Sequence, residues 1–188
     1  MSLLWESGLG GVSGGNGRYV EDDGTVVMHQ MLTAAQCRAV VDWLQVRGLP
    51  FYLESNSGLY VSADFATGAA AAIGVYSRSK NGNAGMMTVQ QAFQDTVVVG
   101  ELNRDDVNKI SFVLQAYADY RDAAAAFPAL KAGTWGGSGE TALFGALGVK
   151  QITTPQSIHK LLAYFKSDRY YTLACGDSKA RLPCTASV

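Results

Sequence analysis

The chain has 188 residues, the size of one domain or of two small ones sharing a sheet. Hydrophobic residues make up 48% and charged residues 16%, which excludes disorder driven by low hydropathy and high charge. Fifteen Lys and Arg against sixteen Asp and Glu leave a net charge of -1, without the basic excess that counterion release on a phosphate backbone requires, so nucleic acid is not an expected partner.

Residues 8–17, with six glycines in ten positions, are too glycine-rich for a helix interior and read as loop or linker. Arg18–Val20 and Thr25–His29 are short β-prone runs around Glu21-Asp22-Asp23-Gly24. Asp-Gly supplies the positive-φ positions of a tight turn, so a hairpin is predicted. Thr33 and Gln36 fit a capping box, Cys37, Val40, Val41 and Leu44 recur at helical spacing, and Gly48 stands where a helix ends. Phe51–Glu54 and Leu59–Val61 form a second predicted hairpin around Ser55-Asn56-Ser57-Gly58. Asp64–Tyr76 is alanine-rich and predicted helical, whereas Ser77–Gly85 carries little periodicity and reads as a mobile loop. Lys109–Leu114 is a predicted strand, Ala118–Phe127 a helix ended near Pro128, and Leu130–Trp135 a strand leading into Gly136-Gly137-Ser138-Gly139. Thr154 and Pro155 open a predicted helix through Phe165 with an apolar face of Ile158, Leu161, Leu162 and Phe165. Tyr171–Cys175 is a predicted buried strand ending at Gly176-Asp177, the strand edge where an α/β fold presents site residues.

The longest apolar stretches, such as Ala69–Ile73 and Val97–Val99, fall far short of the ~20 residues needed to cross a bilayer. Met1–Gly11 has neither the basic start nor the long apolar run of a secretory signal. Cys37, Cys175 and Cys184 are scattered and form no Cys-x-x-Cys pair, which fits reduced thiols and a cytoplasmic location.

Motifs for several chemistries are missing. Gly8–Gly14 brushes against a dinucleotide fingerprint but follows no predicted strand and opens no predicted helix. No Gly-x-x-x-x-Gly-Lys-Ser/Thr loop occurs, and Ser7, Ser13 and Ser138 make no Gly-x-Ser-x-Gly elbow. His29 and His159 each lack a second His at helical spacing, so a polar strand end and a helix surface are expected for them rather than zinc. Glu21-Asp22-Asp23-Gly24-Thr25 echoes an Asp-x-Asp-Gly-Thr phosphatase signature. Its first position is Glu, one methylene too long for a nucleophile whose geometry is set to fractions of an ångström. Asp177 is the best single metal-ligand candidate, although Mg²⁺ takes several oxygen ligands and Lys179 and Arg181 stand close by as competing cations.

Four segments together resemble the haloacid dehalogenase (HAD) superfamily, in particular its Cof-like phosphatases with a type IIB cap. They are Gly15–Gly24, Gly48–Tyr60, Gly133-Thr134-Trp135-Gly136-Gly137 and Leu173-Ala174-Cys175-Gly176-Asp177, and the resemblance runs from Gly15 to about Pro183. It implies an α/β chain with an α+β cap, its antiparallel sheet carrying helices on one face, and a partial Rossmann-like core. The domains implied are a linker or core remnant over 1–14, the cap over 15–150 and a core segment over 151–188. Members of the superfamily use an aspartate nucleophile, a neighbouring acid/base aspartate, a phosphoryl-binding Ser or Thr, a lysine and Mg²⁺ held by acidic residues.

Carried over position by position, much of that machinery is missing. The nucleophile would lie upstream of Gly15, where none of the fourteen residues is Asp. By this register Glu21–Thr25 is a cap-side hairpin. The family lysine falls at Thr154 and the second acidic position at Arg181, leaving Asp177 as a vestigial Mg²⁺ ligand. The resemblance therefore implies no turnover by this chain alone and no stably bound Mg²⁺. In such proteins the cap selects the organic part of a phosphorylated small molecule, often a sugar phosphate, and Glu54, Asn56, Trp135 and Ser138 are the substrate-binding residues it suggests. The alternatives are a non-catalytic binding or interaction module, or a truncated gene product without a selected function. The helix bearing Ile158 and the strand Tyr171–Cys175 would expose apolar surface, so a homodimer through that surface is expected.

Overall fold

A computed structural model describes residues 11–14, 19–22, 25–55, 57–81, 87–93, 96–98 and 102–150. The elements run β1 (Gly11–Gly14), β2 (Tyr19–Asp22), β3 (Thr25–His29), α1 (Ala34–Val46), β4 (Phe51–Ser55), β5 (Gly58–Val61), α2 (Phe65–Gly68), α3 (Ala70–Asn81), α4 (Val89–Ala92), β6 (Thr96–Val98), β7 (Val107–Val113), α5 (Tyr117–Ala126), β8 (Lys131–Trp135) and β9 (Phe144–Gly148). They build a three-stranded sheet in the order β1-β2-β3 and a six-stranded sheet in the order β6-β5-β4-β7-β9-β8. Every pairing is antiparallel except β5 with β6.

The first helix follows its sequence signals closely. Thr33 Oγ1 accepts from the Gln36 amide at 3.1 Å while Gln36 Oε1 accepts from the Thr33 amide at 3.0 Å, so two orphan donors of the first turn are satisfied reciprocally. Cys37, Val40, Val41 and Leu44 are the buried residues of α1. Gly48 ends the turn with φ +59°, a conformation that costs glycine little. Burial pushes the Cys37 thiol up from its ordinary pKa. Both predicted hairpins form, with Asp22 opposite Thr25 and Ser55 opposite Gly58 as their closing pairs.

The sequence reading departs from the fold in four places. Gly11–Gly14 was expected to be loop but pairs with β2 as a strand. Antiparallel pairing with the next strand, from Gly14 opposite Tyr19 to Gly11 opposite Asp22, overrides glycine's weak strand preference there. The helix predicted over 64–76 is two helices, and α3 continues through Ser77 to Asn81 where a loop was expected. Buried Ser77 turns its hydroxyl back to the Gly74 carbonyl at 3.1 Å, so a polar residue sits inside the helix without an unpaired group. Finally, α4, β6 and β9 were not anticipated. The predicted helix from Thr154 and the strand Tyr171–Cys175 lie outside the described residues, as do Asp177, His159, Cys175 and Cys184.

Two apolar layers sandwich the six-stranded sheet. On one face α1 and α5 cover Phe51, Leu53, Ile110, Phe112 and Leu147. On the other, α2, α3 and α4 bring Phe65, Ile73 and Phe93 against Tyr52, Val61, Val113 and Phe144. Tyr52, Phe65 and Phe93 meet edge to face, with ring centroids 5.1–5.4 Å apart, an arrangement that adds to simple area burial. The small sheet is tied to the centre of the large one. Leu32 donates its amide to the Val107 carbonyl at 2.8 Å, and His29 Nε2 lies 2.7 Å from Asn108 Oδ1.

Candidate functional site

Strand register decides which side chains share the second face. Across five strands Val61, Tyr52, Ser111, Ala146 and Gly133 stand in one row, and Leu59, Glu54, Lys109, Gly148 and Lys131 in the next. A third row holds Val113, Phe144 and Trp135. The helices α2–α4 pack on the tyrosine and phenylalanine end. Toward β8 the residues are small, and a Cβ built on Gly133 would have nothing within 4 Å among the described residues. Small residues, the half-buried Gly133 and Ala146 and the buried Gly148, therefore separate charged side chains on one side from aromatic ones on the other.

The charged border is a cross-strand pair. Lys109 Nζ lies 2.7 Å from Glu54 Oε1, with side chains only 16% and 24% exposed, and Ser111 Oγ donates to the same oxygen at 3.3 Å. Beside them Tyr52 is buried, and its phenol is pushed far above its ordinary pKa by burial and then by the Glu54 charge. The phenol is thus a neutral donor, not an acid. The aromatic border is Trp135, stacked on Phe144 with centroids 3.9 Å apart and planes at 6°, and met edge-on by Tyr76 at 5.4 Å. Its indole Nε1 is buried and has no hydrogen-bond partner among the described residues.

Of the four substrate-binding residues the sequence suggested, Glu54 and Trp135 stand on this one face. Ser138 is exposed in the loop after β8, where its amide donates to Thr141 Oγ1 at 3.2 Å and its carbonyl accepts from that hydroxyl at 2.8 Å. It shapes a short 3-10 turn, Gly139–Thr141. Asn56 and the metal candidate Asp177 lie outside the described residues. Lys109 and Ser111 were missed as site residues. Their signal was the alternation Lys109-Ile110-Ser111-Phe112, which gives one face of β7 a polar stripe.

A second polar cluster clasps the β4–β5 turn. Asp106 Oδ2 accepts from Ser55 Oγ at 2.7 Å, Ser57 Oγ at 2.6 Å and Arg104 Nη2 at 2.8 Å, and Oδ1 accepts from Arg104 Nε at 2.8 Å. Arg104 lies 3.7 Å over the Tyr60 ring, whose hydroxyl donates to Ser57 at 2.9 Å. These bonds, those from Arg104 above all, hold the Asp106 carboxyl well below the ordinary carboxylate range. A carboxylate so stabilised is a poor base for Ser55 or Ser57, so the cluster positions the turn rather than activating a nucleophile.

Mg²⁺ does not fit the described residues. No group of three or more His, Cys, Asp or Glu side chains converges among them, and Glu54 and Asp106 are each already engaged by a cation, whereas Mg²⁺ takes several oxygen ligands around one point. No helix of the described residues is long and apolar enough to cross a membrane.

Comparison with known proteins gives a consistent answer. The family model for haloacid dehalogenase-like hydrolases matches residues 2–180. Among solved structures, a HAD subclass IIB sugar phosphatase aligns over 89% of this chain and 57% of its own, with TM-score 0.60 and 14% identity. A haloacid dehalogenase-like hydrolase from B. subtilis aligns over 88% of this chain and 62% of its own, with TM-score 0.63 and 14% identity. Another from Bacteroides thetaiotaomicron aligns over 80% and 52%, with TM-score 0.55 and 9% identity. The chain thus spans less than two thirds of each of these structures. No curated protein sequence matches it. With its mixed α/β architecture and a family match over nearly its whole length, the chain belongs to the haloacid dehalogenase-like hydrolases.

Proposed function

We propose that this chain is the recognition part of a HAD-type phosphatase, and that the open face of its sheet reads a phosphorylated small molecule of the sugar phosphate type. The observation that carries this reading is the Glu54–Lys109 pair, a donor and an acceptor set 2.7 Å apart beside small residues. Half-buried charges are costly to keep on a sheet face unless they are paired or serve binding. Trp135 borders the same small residues and supplies a ring, while buried Ser111 steadies Glu54 from below through its hydroxyl.

We propose further that the chain alone does not turn its ligand over, because the positions that match the family's lysine and second metal ligand are Thr154 and Arg181. Losing several charge-stabilising groups together removes turnover rather than slowing it. A cytoplasmic location and a homodimer through the face bearing Ile158, Leu161 and Leu162 complete the proposal. The buried free thiol of Cys37 supports a reducing compartment.

The test is an assay with Mg²⁺ on p-nitrophenyl phosphate and a panel of sugar phosphates, alongside NMR titration of the same ligands. The expected result is shift changes at Glu54, Lys109 and Ser111 without hydrolysis. Metal-dependent turnover that Asp177→Ala abolishes would overturn the inactivity. Light scattering at micromolar concentration checks the dimer, which a monodisperse monomer would rule out.

A further inference from the structure

Lys109 is the cation at the middle of the open face, and its charge is already spoken for. Its Nζ stands 2.7 Å from Glu54 Oε1, and both side chains are largely shielded from water, so the attraction is less screened than in an exposed pair. As an ion pair the two groups carry no net charge between them. Each keeps hydrogen-bonding capacity, because an ammonium has three donors and a carboxylate about four acceptor sites. Ser111 takes part of that capacity at 3.3 Å.

The pair therefore offers an acceptor and a donor side by side, with no net charge for an anion to seek. Two neighbouring hydroxyls of a polyol match this pattern, one donating to Glu54 and the other accepting from Lys109. A phosphate or carboxylate does not match it, since one approaching Lys109 also meets the Glu54 carboxylate and loses its own hydration. The exposed Lys131 stands in the same row at the sheet edge, two strands from Lys109, and offers an anion only a solvated contact. Among the described residues, nothing stands within 4 Å of a Cβ built on Gly133.

We infer that the Glu54–Lys109 pair is a specificity determinant that reads a vicinal diol in the uncharged part of the ligand and rejects a second anionic group there. The ligand class is the monophosphate of a polyhydroxylated molecule, as opposed to a bisphosphate or a phosphorylated sugar acid. This rests on the reading that the open face binds a phosphorylated small molecule.

The test measures dissociation constants by NMR titration of the 188-residue chain with glucose 6-phosphate, glucose 1,6-bisphosphate, 6-phosphogluconate and inorganic phosphate. The wild-type protein is expected to prefer the monophosphate to the bisphosphate and the sugar acid. Glu54→Gln keeps the side-chain shape and unmasks Lys109, so it shifts that ratio toward the dianionic ligands by about tenfold. Lys109→Gln weakens every phosphorylated ligand. A bisphosphate bound more tightly than the monophosphate by the wild-type protein overturns the inference without any variant being needed. Binding with an unchanged ratio in Glu54→Gln overturns it too while leaving the recognition reading in place, and no binding of any of the four ligands overturns both.

Discussion

The Arg104 guanidinium lies alongside the Asp106 carboxylate and reaches both of its oxygens, at 2.8 Å each. Paired N–H donors in one plane make this the strongest geometry an ion pair can adopt. Two serine hydroxyls complete the set, so one carboxylate ties the β4–β5 turn to the strand that follows.

Because the Asp106 pKa is depressed in the fold, its contribution to stability is fully present above the ordinary carboxylate value near 3.8. It is lost as pH falls through the lower folded value. Urea titrations from pH 7 downward are expected to show the protein weakening below about pH 4, and Asp106→Asn to flatten that part of the profile. At pH 7 the variant loses about 1 kcal/mol, discounted because the pair is partly solvated.

Gly145 and Gly133 face opposite sides of the sheet and answer differently to the same change. A Cβ on Gly145 would overlap the Phe112 ring, which is fully buried and has nowhere to go. Gly145→Ala therefore costs about 1–3 kcal/mol by overpacking. Gly133→Ala meets open space and is neutral or slightly stabilising, by up to about 1 kcal/mol. Thermal melts of the two variants check the contrast.

Removing the Thr33 hydroxyl isolates a local effect. Thr33→Ala is expected to lower stability by about 1 kcal/mol and to speed hydrogen exchange of the Gln36 amide, which loses its acceptor. Exchange rates in the C-terminal half of α1 should change only in proportion to global stability.

Trp135 Nε1, buried without a partner among the described residues, gives a prediction of opposite sign. A buried donor without a partner costs about 1–3 kcal/mol, so Trp135→Phe, which removes the donor and keeps an aromatic ring over Phe144, is expected to leave the melting temperature unchanged or raise it. Trp135→Ala loses the stacked ring and melts lower.

The parts of this fold that were legible in the sequence are those governed by neighbours along the chain. Helix α1 announces itself through Thr33, Gln36 and Gly48, and the hairpins through the residues at their turns. Strand β9 does not, because Phe144-Gly145-Ala146-Leu147-Gly148 carries two glycines and little β preference. It becomes a strand because β7 and β8 pair with it on both sides, and its Gly145 is needed for the Phe112 ring.

The same distinction governs the site. Glu54 and Trp135 could be picked out as polar and aromatic residues at element ends. Their joint placement with Lys109 and Ser111 depends on cross-strand register between residues about 55 positions apart, which no local pattern encodes. Asp106 gave still less warning, since Arg104-Asp105-Asp106 reads as an ordinary charged surface turn.

The tie between the two sheets determines how force enters the larger one. His29 and Leu32 fasten to Asn108 and Val107, on a strand paired along both of its sides. Tension on the incoming chain is consequently delivered to the start of an interior strand and not to an edge that could peel away. Lys109 is the very next residue along that strand. Any tilt of the small sheet is transmitted first to the backbone that carries this side chain, so the point of mechanical attachment and the centre of the recognition face are neighbours in the chain.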